Sequence, residues 1–449
     1  MSRTPLEEWI MSRTGYHYGD EGGFLEHLDS YRLKMIKETL SRAKSASSFY
    51  SEKLSGVFPE KLKTLSDFTR LPLTTPEEIK EQGLRMVCVP QDSISRIVTL
   101  PTSGTTDNPK RIFFTEEDQE LTIDFFHHGM STFTEEGDKV LILMPGERPG
   151  SVGDLLCRGL ARLGAMGIVH GPVLSLKETW NRLDSVKPQV IVGFPRQVGA
   201  LVKYAMFNRY SPPALRAVLL SADYVPESLA SYIENHWNCP VHEHYGMTEM
   251  GLGGGVTCSA RNGYHTREAD LLVEILDPDT GSPAKDGTAG EVVFTTLTRK
   301  GMPLIRYRTG DIAKRITGPC ACGSSLDSLG RIAGRLEGGF TFSNGLKISA
   351  SAVDELLLGR SDVMDYTGLI KSRGGNEVLE IHLKGLPFLG ESAEIDIREE
   401  LLRGLCFPSP GRRSVPEIWF FLETDQDRFF PGAVKGIFKD LRRESNERF

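Results

Sequence analysis

The chain has no long hydrophobic run. Its apolar stretches all fall short of the roughly 18–20 residues that cross a bilayer as a helix. Cysteine is scarce, with seven scattered through 449 residues, too few for a disulfide scaffold in a chain of this size. Blocks of like charge are also missing. The 53 basic and 60 acidic side chains are interspersed and leave a formal net charge of −7, so there is no basic stripe to mark a nucleic-acid partner. The N-terminal MSRTPLEEWIMSRTG carries acids early and has no basic start followed by an apolar segment. The expectation is a cytoplasmic enzyme with neither membrane nor nucleic acid as a partner. What remains is ordinary globular composition, 39% apolar and 25% charged, over a length sufficient for about two to four structural units.

Hydrophobic periodicity predicts a helix over 24–55, where Leu25, Leu28, Tyr31, Met35, Ile36, Leu40 and Ala43 recur among charges. Thr75-Pro76-Glu77-Glu78 reads as a helix start with proline in the first turn. From 138 to 245 short apolar runs (140–144, 167–169, 190–193 and 217–220) alternate with helical segments (152–163, 176–185, 196–207 and 226–237). Near-continuous apolar strands between helices indicate a buried, largely parallel sheet. After 270 the pattern becomes β-rich, with strands at 272–276 and 291–295 split by the turn signal Pro278-Asp279-Thr280-Gly281. Beyond the glycine-rich 334–345 come a helix (351–358), strands (367–371 and 378–383), a helix (391–404) and a strand (416–422). The fold class is therefore α/β. A large N-terminal domain of layered α/β sheets (1–335), with a β-rich subdomain at about 258–333, precedes a small C-terminal α+β lobe (336–449).

Arg96–Leu100 is a β-rich run leading into Thr102-Ser103-Gly104-Thr105-Thr106-Asp107-Asn108-Pro109-Lys110. Small residues let backbone N–H groups approach phosphate oxygens, hydroxyls add donors, and Lys110 adds a point charge. The spacing is not that of a Walker loop. Read alone, the segment is either a phosphate clamp or a polar turn that binds nothing. A second constellation is Cys258, His265, Cys320 and Cys322. Thiolates and an imidazole at short spacing suit tetrahedral zinc; the alternative is a set of reduced thiols packing a loop.

Three further segments stand downstream of the loop: His244-Tyr245-Gly246-Met247-Thr248-Glu249, Pro303 to Asp311 (PLIRYRTGD), and Gly330-Arg331-Ile332-Ala333-Gly334-Arg335. With these four motifs in this order, the chain resembles the adenylate-forming superfamily of acyl-CoA synthetases and luciferases, and within it the phenylacetate-CoA ligase family. The resemblance implies ATP-dependent activation of a carboxylic acid to an acyl-adenylate, followed by transfer to coenzyme A with release of AMP and pyrophosphate. It implies ATP contacts from Thr102, Ser103, Gly104, Thr105, Thr106 and Lys110, and from His244 through Thr248. Tyr245 would pack on adenine, with Ser221-Ala222-Asp223 beside it. Asp311 would hold the ribose hydroxyls, Arg331 and Arg335 would reach ribose or phosphate, and Glu249 would ligate Mg²⁺. The C-terminal lobe would rotate about Glu337 between half-reactions and supply the adenylation lysine. Lys435 is favoured over Lys439, although Lys435-Gly436 reverses the family's usual order. Aryl or arylalkyl acids suit Phe125, Phe126 and Phe194. Two other readings stay open: an adenylating enzyme with a non-CoA acceptor, and a non-catalytic nucleotide-binding relative. The assembly is also open, a homodimer included.

Overall fold

The computed structural model describes residues 4–17, 19–20, 23–100, 109–343, 345–386, 391–405, 417–423 and 430–442. They fall into two compact units. The first comprises residues 1–136, 148–165 and 243–333, and the second residues 137–147, 166–242 and 334–449.

In the first unit, the predicted N-terminal helix is two helices, Gly23–Ala46 and Ser48–Lys53. Ser47 breaks it because its extended backbone and side chain cap the second helix at Tyr50 N. Pro76–Gln82 starts where predicted, behind a reciprocal capping box formed by Thr75 and Glu78. The strands Arg96–Leu100 and Lys110–Phe114 pair antiparallel, Leu100 opposite Lys110, and so bracket the Thr/Gly segment. Leu271–Leu276, Ala289–Thr296 and Tyr307–Ile316 form an antiparallel meander. The short strands Ser328–Leu329, Tyr264–Thr266 and Gly255–Thr257 continue the sheet, and Gly255–Thr257 pairs with His244 and Tyr245. In Tyr307–Ile316, Tyr307, Thr309 and Asp311 are buried while Arg308 and Gly310 are partly open. This period-two alternation aims the odd-numbered side chains of the PLIRYRTGD motif inward. The core beneath contains Tyr50, Phe68, Phe113, Phe294, Leu304 and Tyr307.

The second unit carries the parallel strands. Met166–Val169, Lys139–Leu143, Val190–Gly193 and Ala217–Ser221 lie side by side in that order, accompanied by the helices Leu176–Val186, Pro195–Phe207 and Glu227–Trp237. The C-terminal segment contributes the helix Ala350–Leu357, a long antiparallel pair Val363–Arg373 and Asn376–Gly385, the helix Glu391–Leu405 and the strand Glu417–Glu423. A fourth strand, Ile437–Asp440, pairs parallel to Val363–Arg373. It was not expected from the sequence, because four residues with two charges give too short a pattern to read. Leu201, Tyr204, Leu229 and Ile233 share one apolar cluster with Val353, Leu357, Ile370 and Leu379. Glu355 accepts from Glu227 N and Ser228 N and so caps the helix Glu227–Trp237. Among the described residues no helix is long and apolar enough to cross a membrane.

Candidate active site

Five motif residues remote in sequence form two contact groups in the first unit. Glu249 sits in a single 3₁₀ turn, Thr248–Met250, following the strand Val241–Tyr245, and is 4% exposed. Its Oε1 pairs with Lys110 Nζ and accepts from Tyr307 Oη at 3.3 Å. Lys110 Nζ also lies 3.3 Å from Tyr307 Oη. A buried carboxylate is stable only when its charge is compensated, and here Lys110 compensates it. The turn is held from behind by Arg299, which donates to Glu249 O at 2.6 Å, while Arg267 donates to Met250 O. Burial lowers the pKa of Arg299 to about 10, with Asp118 pulling the other way, so it remains cationic at neutral pH. Gly246 admits no side chain, because a Cβ there would lie 2.3 Å from Leu252 O. Leu252 itself adopts φ +69°.

The second pair is Tyr245 and Asp311. Tyr245 Oη donates to Asp311 Oδ2 at 2.9 Å, and Asp311 N donates to Thr309 Oγ1 at 3.0 Å. Both residues are 8% exposed. Arg331 pairs with Glu243 Oε1 at 2.6 Å, and Glu243 Oε2 accepts from Tyr264 Oη at 2.9 Å. His244 packs beside Phe125 and Phe126, with ring centroids 5.9 and 6.0 Å away. Burial, with Arg267 nearby, brings its pKa down to about 4, so the imidazole is neutral at pH 7. Met247 and Thr248 are half-buried.

The remaining expected residues lie in the second unit. Ser221 ends a parallel strand and is buried. Ala222 takes φ +72°, a conformation rare outside glycine and often found at functional turns. Asp223 Oδ2 accepts from Gly436 N at 2.9 Å, so this triplet lies against the loop that carries Lys435. Lys435 is exposed in that loop, whereas Lys439 lies within the strand Ile437–Asp440, opposite Leu369. Arg335 and Glu337 are exposed. Thr102, Ser103, Gly104, Thr105 and Thr106 lie outside the described residues, as does Cys406. Phe125, Phe126 and Phe194 are buried. A cleft of about 340 Å³ in the first unit, lined by Arg32, Leu65, Glu268 and Glu274 among others, contains none of the motif residues.

Tyr307 is the residue that sequence reasoning missed. It stands inside the Arg306-Tyr307-Arg308 run, where nothing local marks it, since its hydroxyl meets Lys110 and Glu249 only through the fold. The neighbouring Arg306, at φ +48°, is tied to Glu274 at 2.9 and 3.1 Å and fixes the backbone that presents Tyr307.

Cys258, His265, Cys320 and Cys322 also converge, their ligand atoms all within 4.8 Å of one another. Cys258 Sγ is 3.6 Å from Cys320 Sγ, and Cys322 Sγ is 3.4 Å from His265 Nε2. Backbone N–H groups of Ala260 and Ser324 bond the sulfurs of Cys258 and Cys322. His265 Nδ1 lies 3.5 Å from Ser328 Oγ, which leaves Nε2 facing the sulfurs. Three soft sulfurs and one oriented imidazole nitrogen are the donor set of a closed zinc site.

A profile described as AMP-binding enzyme matches residues 36–297. The chain belongs to the AMP-binding enzyme family. Among curated members, it is 26% identical over 399 residues to a phenylacetate-coenzyme A ligase from Thermus thermophilus, covering 84% of this chain and 86% of that one. It is 25% identical over 392 residues to the phenylacetate-coenzyme A ligase of Escherichia coli, covering 85% of each. Among solved structures, a 2-hydroxyisobutyryl-CoA ligase in its postadenylation state superposes with a TM-score of 0.76 at 21% identity, covering 92% of this chain and 89% of the other. That likeness is one of fold: the mixed α/β architecture is shared with this ligase.

Proposed function

We propose that this AMP-binding enzyme uses ATP to convert a carboxylic acid into an acyl-adenylate and then transfers the acyl group to coenzyme A, releasing AMP. The observation that carries the proposal is the convergence of Lys110, Glu249 and Tyr307, with Tyr245 and Asp311 in the same unit. Attack of a carboxylate on the α-phosphate needs positioning and charge neutralisation more than covalent help. Lys110 serves the triphosphate, with Thr102–Thr106 and Thr248 as further phosphate donors. Asp311, whose carboxylate can accept from two hydroxyls at once, takes the ribose. Tyr245 takes adenine and Arg331 adds a nucleotide contact; Ser221–Asp223 and Arg335 are the nucleotide-binding residues of the second unit. Glu249 offers the hard oxygen that Mg²⁺ prefers, and its present partner Lys110 supplies the positive charge a metal would bring. When bound, the ion neutralises phosphate charge. Lys435 serves the adenylation half-reaction, and Glu337, exposed beside Gly338 and Gly339, is the hinge.

An aryl or arylalkyl acid is the substrate class, supported by the two phenylacetate-CoA ligase relatives and by the buried Phe125–Phe126 pair. Zinc at Cys258, His265, Cys320 and Cys322 would be structural, since four protein ligands leave no open position. The ATP and coenzyme A requirement supports a cytoplasmic site of action. The test is incubation with ATP, Mg²⁺, coenzyme A and mixed aromatic acids, followed by mass spectrometry. The expected products are acyl-AMP and acyl-CoA. Acyl-AMP without a thioester would redirect the acceptor, and ATP binding without either product would overturn the enzymatic reading.

A further inference from the structure

The second unit holds a buried charge cluster that the proposed chemistry does not use. Arg196, the second residue of the helix Pro195–Phe207, is 3% exposed. Its two terminal nitrogens pair with separate carboxylates, Asp354 and Asp365, and its guanidinium lies 4.7 Å from the centre of the Tyr366 ring. Tyr366 Oη in turn donates to Asp354 at 2.7 Å. Burial opposes the charge on Arg196, but the two facing carboxylates outweigh it and raise its pKa. Such clusters add little net stability, since desolvation consumes most of the Coulombic gain; their better-attested use is to fix one arrangement of the chain.

What this cluster fixes is the loop bearing Lys435. The second oxygen of Asp365 accepts from Ala433 N at 2.8 Å. Gln197, next to Arg196, donates to Gly432 O at 3.2 Å, and Asp223 accepts from Gly436 N at 2.9 Å. A Cβ on Gly432 would lie 2.7 Å from Arg196 O, and one on Gly436 would lie 2.5 Å from Arg196 Nη2. The loop thus rests main chain first on Arg196. Both glycines flanking Lys435 are required by that close approach, and Gly432 also by its φ of +80°. These three hydrogen bonds all go to the loop's backbone, and the Lys435 side chain is exposed.

We infer that Arg196, acting through Asp365 and the glycines at 432 and 436, is the positioning residue for Lys435 in acyl-adenylate formation. This rests on the adenylation role proposed above for Lys435. Displacing a catalytic group by about 1 Å can cost about a hundredfold in rate, so a clamp of this kind acts on one half-reaction. The test compares the wild type with Arg196→Lys, which keeps one cation but cannot bridge two carboxylates. Gly436→Ala, which presses on the guanidinium without removing any buried charge, guards against misfolding of the first variant. ATP–pyrophosphate exchange with phenylacetate reads adenylation, and thioester formation from supplied phenylacetyl-adenylate reads the second step. Both variants are expected to lose about tenfold to a hundredfold in exchange and to keep the second step within about twofold. Arg196→Lys is expected to add nothing to Lys435→Ala. Amide hydrogen exchange at Ala433 and Gly436, which needs no substrate, is expected to speed up at least about tenfold in Arg196→Lys. Equal loss in both steps, additive loss with Lys435→Ala, or unchanged amide exchange overturns the inference. Wild-type pyrophosphate exchange by Lys435→Ala overturns the lysine's role itself, and the clamp's purpose with it. Loss in Lys435→Ala with wild-type exchange in both clamp variants overturns the clamp alone.

Discussion

Lys203 offers a quantitative test of how the second unit is held together. One helical face of Pro195–Phe207 presents Arg196 and, two turns later, Lys203, which is 1% exposed. Its ammonium donates to Leu358 O at 2.8 Å and Val363 O at 2.6 Å. Burial lowers its pKa from 10.5 to about 7, against the opposing pull of Asp365 and Asp362. That difference corresponds to a penalty of about 5 kcal/mol on the charged form. Below pH 7 the folded protein carries the whole penalty. Between pH 7 and 10.5 the unfolded chain binds a proton that the folded one has shed, so stability rises with pH across that window. From pH 7 to pH 9 the gain is about 2 kcal/mol. Lys203→Met removes the titrating group and takes a donor from two carbonyls, at about 1–3 kcal/mol each. The variant is therefore expected to be near the wild type in stability at pH 7 and to fall behind by about 2 kcal/mol more at pH 9. Urea titrations at both pH values, followed by the fluorescence of Trp180 and Trp237 in the core of this unit, measure the gap. Parallel stability curves for the two proteins would refute the reasoning, whatever their offset.

Glu249→Gln should lower kcat/KM for ATP by about a hundredfold and weaken its dependence on Mg²⁺, because the carboxylate charge is lost; an unaltered magnesium titration would count against its role. Asp311→Asn should raise KM for ATP about tenfold, while Tyr245→Phe, which deletes one hydrogen bond to Asp311, should raise it about fivefold; steady-state kinetics would expose any reversal of that order. Elemental analysis of purified protein should find about one zinc per chain, absent from Cys320→Ser, and that variant should melt at a lower temperature; full zinc content in the variant would remove Cys320 from the ligand set. Gly246→Ala should destabilise the first unit by more than about 2 kcal/mol, since its Cβ meets a backbone carbonyl rather than a side chain that can move away; a midpoint unchanged in urea would contradict the close approach at Leu252.

The secondary structure was largely legible because it is written in local periodicity. The parallel strands near 140, 167, 190 and 217 are short apolar runs between amphipathic segments, and Thr75-Pro76 announces its helix through capping chemistry that acts within three residues. The motif segments were legible as strings, but the alternation that buries Tyr307, Thr309 and Asp311 became visible only with the strand Tyr307–Ile316. The set Cys258, His265, Cys320 and Cys322 was visible as a count of suitable donors, but a gap of more than fifty residues carries no distance. Only the pairing of Tyr264–Thr266 with its neighbours, and the turn held by Cys320 N and Gly323 N, brings the four ligand atoms together. The same limit applies to Tyr307, whose hydroxyl meets Lys110 across 197 positions, and to Arg196, which in the sequence is one arginine at the start of an apolar helix. A side chain's periodicity is set by its immediate neighbours along the chain, so the sequence alone determined most of the longer elements and the family resemblance, though not the break at Ser47 or the strand Ile437–Asp440. Charge partners are chosen by tertiary packing, so only the fold decided that Lys110 compensates Glu249 and that Arg196 underlies the loop carrying Lys435.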